Sequence, residues 1–200
     1  MKLTANKITF FRIILVPPII VFMFLKDVFT AAPIIALVIF LAAAATDAFD
    51  GKYARKTNTV SGFGKFLDPI CDKIFAYGIM IAFIFIGTFY NEHMVVTYIN
   101  MFSIITMLTR EFAIAAIRQI AAIKNVVIGA DLFGKIKTDL TFISFGFFIV
   151  ALFDNGNATV ATVINVFYWI GTAIFYAATV FSVLSGINYY IKNKESLKFD

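Results

Sequence analysis

Six predominantly apolar stretches follow one another along the chain, at about Ile8–Leu25, Ala32–Phe49, Phe66–Tyr90, Val95–Ile120, Ile136–Phe153 and Val160–Ile191. A bilayer core of roughly 30 Å is crossed by about 20 mostly apolar residues in a helix. Each stretch is long enough for that, and together they use up most of the 200 residues. The expected fold is therefore all-α: a polytopic six-transmembrane-helix bundle, with residues 1–200 as a single membrane-embedded domain. The composition is 61% hydrophobic and 14% charged. A water-soluble domain would carry about 45–50% and 25%. The 25 phenylalanines suit lipid-facing and interfacial surface.

The first stretch sits where a signal peptide would, but Pro17-Pro18 interrupt it and Lys26-Asp27 stand where a small-residue cleavage site should begin. It is expected to stay in the protein. The net charge of +5 belongs in cytoplasmic loops and against anionic headgroups. No stretch has the pattern of a nucleic-acid module.

Basic residues alternate between the two sides. Lys2, Lys7 and Arg12 mark the N-terminus, and Lys52, Arg55, Lys56 and Lys65 mark the second connection. Arg118, Lys124, Lys135 and Lys137 mark the fourth, and Lys192, Lys194 and Lys198 the tail. The other connections hold Lys26 beside Asp27 and no further cation. This places both termini and the two long polar connections in the cytoplasm. The single Cys71 excludes an intramolecular disulfide and fills space in a helix, while His93, the lone histidine, falls in a short polar turn.

Four acids break the apolar pattern. Asp47 and Asp50 end the second stretch, and Asp68 and Asp72 lie inside the start of the third. Each carboxylate at membrane depth costs about 2.5–3.5 kcal/mol, so the four must face a polar cavity, a cation or both. The i, i+3 and i, i+4 spacings put each pair on one helix face, about 5–6 Å apart at Cβ. Consecutive helices joined on one side bring the two pairs to the same end. Four converging carboxylates raise one another's pKa, and one or two divalent cations relieve the repulsion. All-oxygen ligation favours Mg²⁺ or Mn²⁺. A single aspartate near a helix end is more often a solvated face. Two pairs at one membrane face, with Gly51, Ala54, Arg55 and Gly64 beside them, are not explained that way.

The run Asp47-x-x-Asp50-Gly51-x-x-Ala54-Arg55, followed after eight residues by Gly64-x-x-x-Asp68-x-x-x-Asp72, resembles the full signature of the CDP-alcohol phosphatidyltransferase family. The resemblance implies a six-helix membrane bundle, commonly a homodimer, with its site open to the cytoplasm. It implies one metal on Asp47, Asp50 and Asp68, and a second approached by Asp47, Asp68 and Asp72. Asp72 would also be the general base for the acceptor hydroxyl. Gly51, Ala54 and Gly64 would let the CDP group of the lipid donor approach the backbone, and Arg55 would pair with its diphosphate. Direct attack by the alcohol on the lipid-linked phosphorus is favoured over a covalent aspartyl intermediate.

Two further segments, Asn6 to Arg12 and Thr109-Arg110-Glu111-Phe112 continuing to Gly134-Lys135-Ile136-Lys137-Thr138, resemble bacterial phosphatidylglycerophosphate synthases. That implies CDP-diacylglycerol as donor and glycerol 3-phosphate as acceptor. A phosphorylated acceptor needs cations, and Arg118 and Lys135 are the preferred ligands. An intramembrane arginine is a functional candidate by default, so Arg110 is a third; its other role is to pair with Glu111 or an aspartate of the bundle. Lys124, Lys135 and Lys137 also read as positive-inside residues. Inositol phosphate, serine and phosphatidylglycerol remain as alternative acceptors. A cation transporter is the rival from another class. It predicts polar residues continuing towards the outer face or paired broken helices at the midplane, whereas here the carboxylates are confined to one end and the remaining spans are nearly uncharged.

Overall fold

The computed structural model describes the backbone of residues 5–57, 62–89, 91–123, 129, 131–153 and 156–194, and their side chains except at 5–11, 47–57, 62–69 and 122. Among the described residues there are six α-helices: α1 (Ala5–Phe24), α2 (Ala32–Thr57), α3 (Gly62–Ile86), α4 (Met94–Ile123), α5 (Leu132–Val150) and α6 (Ala158–Asn193). One 3-10 turn, Leu25–Asp27, follows α1. The six apolar stretches and the six helices coincide one for one.

The edges differ where hydropathy and helicity part company. α2 continues to Thr57, well past the apolar limit at Phe49. Its last two turns, Gly51-Lys52-Tyr53-Ala54-Arg55-Lys56-Thr57, are mostly good helix formers, and a helix leaving hydrocarbon has no reason to stop. α3 likewise starts at Gly62, ahead of the apolar limit at Phe66, so Asp68 and Pro69 lie inside the helix. α1 runs through Pro17-Pro18 without a break. Asn157 caps α6, its Oδ1 accepting from the Thr159 amide at 2.9 Å. Gly156 just before it takes φ +72°, a conformation glycine adopts without strain.

The chain divides into two compact units. One comprises Met1–Thr88 with Phe145–Gly171, the other Phe89–Ser144 with Thr172–Asp200. In the first, α1 packs on both α2 and α3. Gly78 lets α3 approach α1 closely, since a Cβ there would lie 3.0 Å from Val16 Cγ1. Phe40 of α2 stacks on Phe75 of α3 with ring centroids 5.8 Å apart. Phe83 meets Phe145 and Phe148, each at 5.5 Å. Gly171 lies against the same cluster, where a Cβ would come within 3.0 Å of Phe147 Cβ and 3.1 Å of the Phe148 ring. Because Phe147 Cβ is fixed to the backbone, it cannot swing aside. Gly171→Ala is expected to destabilise the protein by about 1–3 kcal/mol, read as a lower melting temperature in detergent.

In the second unit, Phe89 and Phe175 pack at 5.3 Å. The buried Asn100 of α4 is satisfied on both sides: its Nδ2 donates to the Phe89 carbonyl at 2.9 Å, and its Oδ1 accepts from the Tyr176 hydroxyl at 2.8 Å. Such pairing is what makes a buried amide tolerable.

Among the described residues, Met94–Ala121 and Ala158–Asn193 are long and apolar enough to cross a membrane. Large apolar side chains stay exposed on several helices, including Val38, Phe85, Phe102, Phe112 and Ile187. That surface suits a hydrocarbon solvent, in which helices satisfy their own backbone groups.

Candidate active site

The four aspartates lie on two helices. Asp47 and Asp50 are on α2, and Asp68 and Asp72 on α3, with helical backbone throughout both intervals. The i, i+3 and i, i+4 spacings therefore act as face-sharing spacings. The side chains of Asp47, Asp50, Gly51, Ala54, Arg55, Gly64 and Asp68 lie outside the described residues. Asp72 is described. Its carboxylate is about half exposed, and its Oδ1 accepts a hydrogen bond from Nη1 of Arg12 on α1. The Arg12 side chain is only 6% exposed. A cation that deep is stable only with anionic and hydrogen-bonding partners around it.

This pairing is the feature that reading the sequence missed. By sequence alone Arg12 marks the orientation of the chain and closes the Asn6–Arg12 segment, and nothing there indicates its partner. A signal was present: it is the one charged residue between Ile8 and Leu25. A lone intramembrane arginine calls for a partner.

A divalent cation fits what is described. The candidate donors are all hard carboxylate oxygens, they sit at face-sharing spacings on α2 and α3, and the one visible carboxylate is open on one side. Cys71 is buried and His93 exposed in its turn, as expected, so neither soft nor imidazole donors compete.

The second unit gathers the cations of α4 and α5. Arg110 Nη1 donates to Glu111 Oε1 at 2.7 Å, and Lys137 Nζ donates to the same oxygen at 2.5 Å. Arg110 Nη2 also donates to Ser185 Oγ on α6. All three charged side chains are less than a fifth exposed. Gly134 and Gly186 make room for the arginine, since a Cβ at either would lie 3.1 Å from Arg110 Nη2 or 3.3 Å from its Cγ. Of the two roles open to Arg110, pairing with Glu111 is the one seen.

Arg118 and Lys135 differ from that cluster. Both are exposed. Arg118 Nε donates to the Tyr189 hydroxyl at 2.9 Å, with its guanidinium 5.5 Å from the centre of the same ring. Asn188 next to it donates to Asp131 Oδ1 at 2.8 Å. Among the described residues, no carboxylate pairs with Arg118 or Lys135. Ser185 and Asn188, near the end of α6, had no role in the sequence reading; Tyr189 reads there, with Tyr190, as an interface anchor, whereas the structure buries it at 2% exposure.

Residues 2–184 match the family profile described as CDP-alcohol phosphatidyltransferase. The chain is 30% identical over 203 residues to the CDP-diacylglycerol–glycerol-3-phosphate 3-phosphatidyltransferase of Bacillus subtilis, covering 96% of each. It is 32% identical to the protein of that name from Mycoplasma genitalium, covering 98% of this chain and 86% of the relative. A probable phosphatidylglycerophosphate synthase of Mycobacterium tuberculosis is 30% identical, covering 92% of this chain and 78% of the relative.

Proposed function

Because the chain belongs to the CDP-alcohol phosphatidyltransferase family, we propose that it transfers the phosphatidyl group of CDP-diacylglycerol to glycerol 3-phosphate, releasing CMP. What carries this reading is the end-to-end match to relatives named for that reaction. The geometry adds a half-exposed carboxylate at the last signature position, held by a buried arginine. On this reading the six helices all span, both termini and the site face the cytoplasm, and the chain pairs as a homodimer.

Asp47, Asp50 and Asp68 would hold one Mg²⁺ or Mn²⁺, and Asp47, Asp68 and Asp72 a second. Helix register supports this grouping. Asp47 lies seven residues after Phe40 and Asp68 seven before Phe75, and those two rings stack across α2 and α3. Seven residues is about two turns, so each aspartate falls on the helix face of its ring, and in an antiparallel pair at a similar height. When bound, the metal supplies positive charge that stabilises the diphosphate and the departing CMP.

The rest is done by the chain. Asp72 accepts the proton of the acceptor hydroxyl as its oxygen bonds to the lipid-linked phosphorus. The bond from that phosphorus to the bridging oxygen breaks, and CMP leaves with the electron pair. Arg12 holds Asp72 in place on α3. Arg55 pairs with the diphosphate, and Gly51, Ala54 and Gly64 leave room for the donor beside the backbone. Arg118 and Lys135 take the acceptor's phosphate, since their charges are not spent on a described carboxylate.

The test is CMP release by purified protein in detergent, with CDP-diacylglycerol, Mg²⁺ or Mn²⁺, and one acceptor at a time. Release is expected with glycerol 3-phosphate and is expected to stop on chelation. Release driven instead by serine, inositol phosphate or phosphatidylglycerol would keep the reaction class and replace the acceptor. No release with any of them, from folded protein, would sink the enzymatic reading.

A further inference from the structure

Near its C-terminal end α6 carries Ser185, Asn188 and Tyr189, and each of the three bonds to a charged residue of the same unit. Ser185 accepts from Arg110, Asn188 donates to Asp131, and Tyr189 accepts from Arg118. The first two partners are held elsewhere or at a loop. The third is different, because Arg118 is exposed and Tyr189 is its one described side-chain partner.

We propose that Tyr189 is a positioning residue for acceptor recognition, fixing the Arg118 guanidinium so that its Nη edge is presented to a phosphomonoester. This rests on the assignment of Arg118 as a phosphate ligand. An exposed arginine is a long, flexible side chain, and fixing it before the ligand arrives removes part of the entropy that binding would otherwise cost. Tyr189 supplies two restraints at once. Its hydroxyl takes the Nε hydrogen at 2.9 Å, and its ring lies 5.5 Å from the guanidinium carbon. Tyr189 itself is 2% exposed, so the restraint is rigid. With Nε engaged, the side-on fork of Nε and Nη is taken. The end-on pair of Nη groups remains for two phosphate oxygens, a geometry that an ammonium group cannot reproduce.

The experiment is steady-state CMP release by the full chain with each substrate varied in turn, for Tyr189→Phe, Tyr189→Leu, Arg118→Gln and the Tyr189→Phe/Arg118→Gln double variant. Tyr189→Phe keeps the ring and loses one hydrogen bond to a cation. It is expected to raise KM for glycerol 3-phosphate about five-fold, with kcat and KM for CDP-diacylglycerol largely retained. Tyr189→Leu loses the ring as well and is expected to raise the same KM roughly twenty-fold. The double variant is expected to match Arg118→Gln alone, because Tyr189 acts through that arginine. If Arg118→Gln raises the acceptor KM and Tyr189→Phe does not, the inference is overturned and the Arg118 assignment stands. If the two effects multiply in the double variant, or Tyr189→Phe weakens both substrates alongside a lower melting temperature, Tyr189 is structural and the inference is likewise overturned. If Arg118→Gln itself leaves the acceptor KM unchanged, the assignment of Arg118 fails and the role of Tyr189 fails with it.

Discussion

Asp72→Asn is expected to lower turnover with glycerol 3-phosphate by about 10²–10⁴-fold, the range a positioned general base contributes. The substitution keeps the shape of the side chain and its place on α3, and removes the proton acceptor. It also takes the charge from the partner of Arg12. The amide oxygen that replaces the carboxylate can still accept from Arg12, but that side chain is only 6% exposed and loses the charge of its partner. The cost in stability is expected to be about 1–3 kcal/mol, read as a lower melting temperature. Turnover and melting temperature therefore separate two effects that a single assay would merge. A folded variant turning over at close to the wild-type rate would remove Asp72 from the role of base and leave it, at most, as one ligand among four.

Glu111→Gln is expected to be the most destabilising of the single substitutions considered. Arg110 and Lys137 both donate to one Glu111 oxygen, and all three side chains are largely buried. Removing the carboxylate leaves two neighbouring cations without the anion they share. Breaking a buried pair from one side costs about 3–5 kcal/mol. The check is the melting temperature in detergent, with Glu111→Gln/Lys137→Met measured beside it. Removing one cation should recover part of the loss, so the double variant should melt above Glu111→Gln alone. A Glu111→Gln protein melting with the wild type would show that solvent or another anion already serves those cations.

Much of the fold is legible in the sequence. The apolar runs gave the helices because their length and composition leave the backbone few other ways to satisfy itself out of water. What hydropathy misplaced was the end of α2 and the start of α3. It registers where a chain leaves an apolar solvent, whereas helix ends depend on local propensity and capping. The signature residues from Asp47 to Arg55 thus sit on one uninterrupted helix, not on a helix end and a loop.

The candidate site was legible only in part. The spacings of Asp47, Asp50, Asp68 and Asp72 are a local property of a 3.6-residue helix, so the sequence alone put each pair on one face and, by charge, called for a divalent cation. The same sequence left Arg110 with two possible roles. It gave Arg12 no carboxylate, and Ser185 and Asn188 no task. Those questions concern partners 60 residues away for Arg12 and Asp72, 75 for Arg110 and Ser185, and 71 for Arg118 and Tyr189. A buried charge must find an opposite charge or hydrogen-bonding groups, and the sequence announces that need. Which group answers it depends on how the helices pack, and packing alone assigned Asp72 to Arg12, Glu111 to both Arg110 and Lys137, and Tyr189 to Arg118.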